Sequence, residues 1–485
     1  MGNAHSLPGQ DCLLDAVGHK TSLVTFRNDA FYHFKAPSLY NLNFPVKPIA
    51  VTFPENSEQI ARIVQCASRH SLKVQARSGG HSYGNYGLGG EDGMIVVDLK
   101  HLQEFSVDPV THVATVGSGT LLGDLHSRLY HASQRAVAHG ACLNVGIGGH
   151  ATIGGLGTMS RQWGMALDHI REAEVVLANG KIITASATQN PDVLFAIKGA
   201  AASFGIVTKF RLNTHPAPTQ AVQYSYTLNV GTTAERAQLF ADWQQFIFTK
   251  NLTRRVSSEL VVFEHGILLS GTFFGTRDEW MALEKELNFP AADKGALIIL
   301  TDWLGMLVSR AEDLIQQVSG GVPCSFYAKS MSFTHPIPIQ GVESLFTYLD
   351  SAIKGTPAWF IIFDLEAGAI NEIPNNATAY AHREVVMWMQ SYAVNLLGPV
   401  SSETKEFLAG VNSVIAVSRP DVLYGAYPGY VDPLLENSQQ AYWGDNLPRL
   451  QKIKSEIDPL DIFHNPQSVH VNPGRSSKAQ TADSN

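Results

Sequence analysis

Cysteine is scarce: Cys12, Cys66, Cys142 and Cys324 are the four in 485 residues and form no CxxC pair, which excludes a disulfide scaffold and a cysteine-rich zinc site. Charge is scarce too. Charged residues make up 16% and hydrophobic residues 45%, against ~25% charged in an average globular chain, so neither a disordered nor a coiled-coil protein is expected. Lys plus Arg number 35 against 43 Asp plus Glu, a net charge of −8 with no long basic run; nucleic acid is not an expected partner. No apolar run approaches the ~20 residues that span a bilayer; Trp359–Ile370 is broken by Asp364 and Glu366, and no integral membrane association is expected. Met1–Leu13 lacks a basic stretch followed by an apolar one, so no secretory signal is visible. A cytoplasmic location is favoured, or a secreted one if the signal has been removed. Gly2 fits a myristoylation pattern without a second anchor nearby, and the sequons at Asn251 and Asn376 matter only in the secretory pathway.

What is present is a chain long enough for two large domains or about three ordinary ones. Residues 47–75 read as strand, apolar-periodic helix and strand, and Met94–Asp98 and Val113–Gly117 as further strands before a helix over Leu121–Tyr130. Gly140–Gly157 holds seven glycines in eighteen residues, a density that suits neither helix nor strand but lets backbone wrap closely round a ligand. Val175–Ala185 reads as a hairpin turning at Asn179-Gly180, Asp192–Lys198 as a short helix, and Ile206–Leu212 as a strand. Beyond Pro216 and Pro218, strand-like Val222–Leu228, helical Thr233–Lys250 and a hairpin over Glu259–Phe274 suggest a sheet backed by helices to about residue 425. The polar tail from Gly474 reads as disordered.

Several motifs fail on context. Gly146-Ile-Gly148-Gly149-His150-Ala151, with Glu172 beyond, fits the dinucleotide fingerprint, but Gly154, Gly155 and Gly157 argue against the helix that a Rossmann loop must open. Ala201–Gly205 imitates a nucleophile elbow in the reverse helix-to-strand order. His139, Cys142 and His150 lack a fourth zinc ligand, and no metal is expected. Arg77-Ser78-Gly79-Gly80-His81-Ser82-Tyr83 is different, because consecutive small residues leave backbone N–H groups free to form an anion nest that suits a pyrophosphate.

This segment and Gly140–His150 together resemble the paired flavin-attachment motifs of the berberine bridge enzyme-like oxidases, FAD enzymes of the vanillyl-alcohol oxidase / p-cresol methylhydroxylase superfamily. The resemblance runs from about Cys12 to Val471, with further signatures at Tyr380–Arg383, Gly429–Asp432, Tyr442-Trp443 and Asp458–Gln467. It implies FAD held bicovalently, through His81 to the flavin 8α carbon and Cys142 to ring carbon 6. It assigns Arg77, Ser78, Gly79, Gly80, Ser82, Val145, Gly146, Gly148, Gly149, His150, Gly154, Ile206 and Asn465 to the cofactor's surroundings. Val145 stands where valine is associated with O2 as acceptor and H2O2 as product. Tyr430 inherits the role of catalytic base, with Tyr427 and Tyr424 as alternatives nearby; Tyr83 resembles a second active-site tyrosine and Asp364 the carboxylate that tunes the base. By residue type alone, Asp364 has the alternative reading of a strand-end residue in an ion pair.

The sequence departs from the family at Leu143, where relatives carry proline, and at Gly429, where they carry asparagine. Cys12 and Cys66 stand where secreted relatives have a disulfide, a pairing that the missing signal leaves open. Carbohydrate oxidases of the family carry tryptophan and glutamine where this chain has Phe360 and Ile362, which makes the substrate pocket more apolar than a sugar site, unless both merely pack the sheet.

The expectation is therefore an α+β, two-domain flavoprotein with a PCMH-type FAD-binding domain. An N-terminal helical segment (1–44) precedes the FAD domain (45–217); a substrate domain on an antiparallel sheet (218–425), a C-terminal segment returning to the FAD domain (426–473) and a tail (474–485) follow. The partners expected are a small-molecule substrate and O2, with the protein a monomer. The leading activity is oxidation of an apolar or phenolic small molecule, as in fungal secondary-metabolite tailoring. The alternatives are an oligosaccharide oxidase converting lactol to lactone, a cyclase with non-redox flavin, and a non-catalytic binding protein.

Overall fold

The computed structural model describes residues 7–228, 231–264, 266–286, 296–300, 303, 323–395 and 397–471. The expectations for Gly2 and for the tail 474–485 lie outside the described residues, as does the His265 position at one hairpin tip.

The first sheet contains β1 (Val24–Phe26), β2 (Ala50–Thr52), β3 (Val74–Arg77) and β4 (Ile95–Asp98) in the order β1-β2-β4-β3. β2, β4 and β3 run parallel and β1 antiparallel. The helix Ser57–Arg69 makes the crossover between β2 and β3; Asn56 caps it by accepting the Gln59 N–H at 3.0 Å, and it buries Ile60, Ile63 and Val64. Residues before 45 thus supply a strand as well as the helix Gln10–Ala16. That helix is tied to Ser57–Arg69 by a disulfide between Cys12 and Cys66, with Cα atoms 5.9 Å apart.

The second sheet is antiparallel, built from β5 (Phe105–Val107), β6 (Ala114–Gly117), β8 (Ile170–Val176), β9 (Ile182–Ser186) and β10 (Ile206–Leu212) in the order β5-β6-β10-β8-β9. The short β7 (Arg135–Ala136) pairs with β11 (His215–Pro216). One expectation is corrected here: Gly140–Gly157 is not helix-free, because Ile147–Ile153 forms a seven-residue helix. Gly148 is tolerated in it for a packing reason, since a Cβ there would lie 2.5 Å from the Ser118 carbonyl oxygen.

The third sheet has seven antiparallel strands: β12 (Ala221–Leu228), β13 (Val256–Phe263), β14 (Gly266–Phe273), β15 (Ala296–Leu300), β16 (Ser325–Phe333), β17 (Trp359–Leu365) and β18 (Met387–Asn395), in the order β15-β12-β14-β13-β17-β18-β16. Period-two alternation divides its residues between two faces. Leu260, Val262, Ile361, Phe363 and Met389 pack among residues of the helices Thr233–Ile247, Ile339–Ser351 and Ser402–Ser418. Val261, Phe360, Ile362 and Tyr392 face the other way.

The C-terminal stretch closes the structure. The helix Leu447–Ile457 carries Lys454, whose ammonium is fully buried, donating to Asp458 Oδ2 at 2.7 Å and to the Ser203 and Phe463 carbonyls at 2.8 and 2.9 Å. Residue 463 then bridges β3 at Val74, so the end of the described chain lies against the first sheet. Arg383 and Asp168 form a second buried link, with two hydrogen bonds of 2.9 and 2.8 Å. Among the described residues no helix is long and apolar enough to cross a membrane.

Candidate active site

A cavity of about 800 Å³ runs from the loop after β3 to the face of the large sheet opposite its helices. Two glycine loops make its first half. They meet backbone to backbone: a Cβ on Gly79 would lie 2.3 Å from the Gly146 nitrogen, and one on Gly146 would lie 2.2 Å from the Gly79 nitrogen. Only glycine fits at either position. Ser78 Oγ fixes the first loop by donating to the Ser118 carbonyl at 2.6 Å. Among the described residues, no backbone N–H of 78–82 donates to a carbonyl elsewhere in the chain, which leaves the anion nest open. Arg77 folds back over Gly80, bonded to Asp98 at 2.9 Å, and its Nε is buried without a hydrogen-bond partner. This cradle fits the diphosphate-bearing flavin cofactor, with unspent donors and no Cβ in the way.

The second loop is shaped without the family's proline. Val145 N–H closes a turn on the Cys142 carbonyl at 3.2 Å. Gly123 and Leu122 N–H bond to Leu143 and Val145 carbonyls at 3.0 and 2.8 Å, and Ile147 N–H bonds to Thr120 at 2.9 Å. Backbone hydrogen bonds from residues 120–123 thus hold the turn around Leu143. His81 and Cys142 both line the cavity. Burial pushes the His81 imidazole down to about 4, with the Arg77 charge adding to the effect, so His81 is neutral with a nucleophilic nitrogen. Burial pushes the Cys142 thiol up to about 11, so the sulfur carries its proton before any reaction.

A chain of rings leads inward from His81. Tyr40 lies 4.6 Å from the His81 ring and 6.4 Å from Tyr83; Tyr83 stacks on Tyr430 at 6.3 Å, and Tyr430 meets Tyr427 edge-on at 5.0 Å. Each tyrosine has a different role in the structure. Tyr427 Oη accepts the Gly155 N–H at 2.9 Å, and a Cβ on Gly154 would lie 2.7 Å from it. Tyr83 Oη accepts from Gln390 Nε2 at 2.9 Å. Tyr424 packs on Phe333 on the helix-covered side of the sheet, away from the cavity. Tyr430 N–H closes a turn on the Tyr427 carbonyl at 2.9 Å, and two residues on Asp432 anchors the segment by accepting from Tyr327 Oη at 2.7 Å and Lys329 Nζ at 2.6 Å. Burial raises the Tyr430 hydroxyl well above the usual tyrosine range, with Asp364, Tyr83, Tyr427 and Glu366 reinforcing it.

The large sheet supplies the opposite wall. Strand register sets Ser270, Glu259, Asp364 and Trp388 in one row, and Leu268, Val261, Ile362, Gln390 and Ser330 in the next. Phe263, Phe360, Tyr392 and Ala328 make a third. The wall is therefore acidic at one end and apolar at the other.

Of the expected site residues, Arg77, Ser78, Gly79, Gly80, His81, Ser82, Tyr83, Cys142, Val145, Gly146, Gly149, His150, Phe360, Ile362, Asp364, Tyr427, Tyr430 and Asn465 all line this one cavity. Gly148 and Ile206 line a smaller space of about 80 Å³ that shares Ser78 and Gly149 with it. Gly154 lines neither and makes room for Tyr427. The zinc trio is not assembled among the described residues; His150 Nε2 instead accepts the Gly140 N–H at 2.9 Å. Sequence reasoning missed Tyr40, Glu259, Glu366 and Gln390. Alternation in Met387–Asn395 could have exposed Gln390 as a cavity-facing polar residue; nothing marks Tyr40.

Comparison with known proteins agrees with this geometry. The family described as "FAD binding domain" matches residues 48–186, and "Berberine and berberine like" matches residues 426–470. The chain is 38% identical over 465 residues to the FAD-linked oxidoreductase sorD of Penicillium rubens, covering 94% of this chain and 97% of the relative. It superposes on the xylooligosaccharide oxidase of Myceliophthora thermophila C1 solved with xylobiose, with a TM-score of 0.88, 31% identity and coverage of 96% and 100%. It is similar as well to the glucooligosaccharide oxidase of Acremonium strictum, whose FAD is 6-S-cysteinyl and 8α-N1-histidyl, with a TM-score of 0.86, 29% identity and coverage of 96% and 100%. The fold is thus the α+β, PCMH-type flavoprotein fold, and the chain belongs to the berberine bridge enzyme-like family of FAD-linked oxidoreductases.

Proposed function

We propose that this oxidoreductase is an O2-dependent oxidase of an apolar or phenolic small molecule, of the kind used to tailor secondary metabolites, with FAD held through both His81 and Cys142. The observation that carries the substrate reading is the wall of the large sheet, where Val261, Leu268, Ile362, Phe263 and Phe360 face the cavity in two successive rows, with Gln390 the polar residue among them. Such rows desolvate an aromatic or polyketide body and leave sugar hydroxyls without partners.

When bound, FAD accepts the hydride and passes the electron pair to O2, giving H2O2. The substrate's hydroxyl proton falls to the protein. Tyr430 rests as a neutral phenol because burial and the nearby carboxyl groups disfavour the tyrosinate. It accepts the substrate proton as its own passes to Asp364, a balanced relay in which the carboxylate ends protonated. Tyr83, oriented by Gln390, flanks the same space, and Val145 lies beside Cys142 at the cavity edge.

The second reading, an oligosaccharide oxidase, draws support from Gln390 and Glu259 in the wall and from the structural neighbours. A peroxide assay on the holoenzyme, run with a panel of alkylphenols and acylphenols against cello- and xylo-oligosaccharides, separates the two. Peroxide from phenols alone supports the proposal; peroxide from oligosaccharides alone refutes it. Conversion of a substrate to product without flavin reduction would identify a cyclase.

A further inference from the structure

A cluster of metal-ligating side chains lies where the C-terminal stretch returns to the first sheet. Asp461 sits in a left-handed turn, φ 52°. Its N–H bonds to the Asp458 carbonyl at 3.0 Å, and the Ile462 and Phe463 N–H groups bond to the Asp458 carboxylate at 2.8 and 2.9 Å. Downstream, Val469 N–H bonds to Ser203 Oγ at 3.0 Å and His470 N–H to Gln439 Oε1 at 3.3 Å. Asp461, His464 and His470 are thus carried on backbone fixed at both ends, and one ligand atom of each lies within 4.8 Å of those of the other two. His464 Nδ1 is 2.6 Å from Asp461 Oδ2, and on the other side of the ring Nε2 is 3.5 Å from Glu91 Oε1. His470 is exposed, its ring centroid 6.2 Å from that of His464 and the planes 30° apart. The neighbouring lysines engage other atoms. Lys454 Nζ lies 2.8 Å from Asp461 Oδ1; Lys73 Nζ donates to the Leu460 and Asp461 carbonyls at 3.0 and 2.7 Å and stays 3.8 Å from Oδ2.

We infer that Asp461, His464 and His470 form a site for a divalent transition cation of the zinc type, separate from the cavity and independent of the substrate it takes. Two imidazole nitrogens and a carboxylate oxygen are donors that such an ion accepts, whereas magnesium and calcium call for oxygen ligands. A metal-bound histidine commonly gives its remaining ring N–H to a carboxylate, and Glu91 stands at Nε2 to receive it when the ion occupies Nδ1. Ligand atoms of a tetrahedral ion lie about 3.3 Å apart, so the set closes by rotation of the exposed His470 side chain, with water in the fourth position. Such an ion staples two parts of the chain. Its ligands flank Asn465, Gln467 and Ser468, which line the cavity. Its outer carboxylate comes from the loop between β3 and β4, where a Cβ on Gly90 would lie 2.7 Å from Pro466 Cδ. The ion therefore steadies the C-terminal wall of the flavin cradle without touching it. Spacings of three and six along the chain match no CxxC or HExxH pattern, which is why the sequence does not mark the trio.

The test is titration calorimetry of ZnCl2 into untagged, flavin-loaded holoenzyme that has been stripped with EDTA and dialysed, with MgCl2 and CaCl2 titrated in parallel. The expected result is one equivalent of Zn2+ bound with Kd of about 10 µM or tighter, and no comparable binding of Mg2+ or Ca2+. In His464→Gln and in His470→Gln the affinity should be weaker by roughly tenfold or more. His470→Gln carries the decision, because that side chain is exposed: without zinc its urea midpoint should match the parent's, and zinc should raise the parent's midpoint and leave the variant's in place. Amide exchange across residues 461–470 should slow with zinc in the parent and not in His470→Gln. His70→Gln is the control. His70 lies beside Cys12 and Cys66, which their disulfide removes as ligands, so this variant should bind zinc as the parent does. No zinc binding, equal binding of Mg2+, binding that survives His470→Gln, or binding lost in His70→Gln overturns the site, and His464 is then a ring held between two carboxylates with no ion. The measurement reads neither turnover nor substrate, so its outcome is independent of the peroxide assay's.

Discussion

Tyr427 and Tyr430 lie three residues apart in one cavity, and their environments predict opposite consequences for the same small change. Tyr430→Phe keeps the stack on Tyr83 and the edge contact with Tyr427, at 6.3 and 5.0 Å, so substrate binding and folding should be nearly unchanged. What it removes is the hydroxyl proposed to take the substrate proton; a positioned acid–base group contributes about 10²–10⁴-fold, and a thousandfold loss corresponds to about 4 kcal/mol of barrier. Tyr427→Phe removes the acceptor of the buried Gly155 N–H. A donor left unsatisfied costs about 1–3 kcal/mol of stability, with no step of the chemistry lost. Anaerobic rapid-mixing reduction of the flavin, with a substrate identified by the peroxide assay, and urea unfolding of each variant measure the two effects. Flavin reduction slowed equally in both variants, or slowed less than tenfold in Tyr430→Phe, would refute the assignment of the base.

Other expectations follow from single features. His81→Ala should leave flavin bound to denatured protein through Cys142 alone or not at all, whereas Cys142→Ala should retain it through His81, because His81 is neutral while Cys142 holds its proton; acid precipitation followed by absorbance of the pellet decides. Asp168→Ala should cost about 3–5 kcal/mol, since it strands the Arg383 guanidinium in a site where Arg383 is 1% exposed; a change under 1 kcal/mol in urea unfolding would contradict the link's importance. His126 and His150 are held down to about 3, and His169 and His382 to about 4, in each case chiefly by burial. Their folded values lie below the unfolded one, so the unfolded chain binds more protons as pH drops below about 6.5. Stability should be full above that pH and fall toward pH 3–4, by about 1.4 kcal/mol per pH unit for each histidine inside its window. Equal urea midpoints at pH 7 and pH 5 would show that these rings are not buried neutral.

Much of the site was legible because the cofactor's needs are written in local sequence. Arg77–Tyr83 and Gly140–His150 are short, glycine-dense and motif-like, and both fall on the one cavity. Its substrate end was legible only in part: Phe360, Ile362 and Asp364 alternate along a single strand, but Glu259 and Gln390 reach the same wall through strand register, which sequence spacing does not encode. Gly154 shows a different limit. The motif assigned it to the cofactor, but the structure uses its missing side chain to seat Tyr427. The Ile147–Ile153 helix was obscured for a related reason: its glycines meet tertiary contacts that override the low helix propensity of the residue.

The return of the C-terminal stretch to the first sheet has a temporal meaning. Asn465 and Gln467, among the last described residues, line the same cavity as Arg77–Tyr83, near the beginning. Lys454 finds its buried partners only once Asp458 and Phe463 are in place. During synthesis, the flavin cradle therefore stays incomplete until nearly the whole described chain has left the ribosome. The proposed covalent attachment of FAD would then act as a check on finished folding, and on that proposal ribosome-held chains ending near residue 457 should carry no covalent flavin, while release of the full chain restores it.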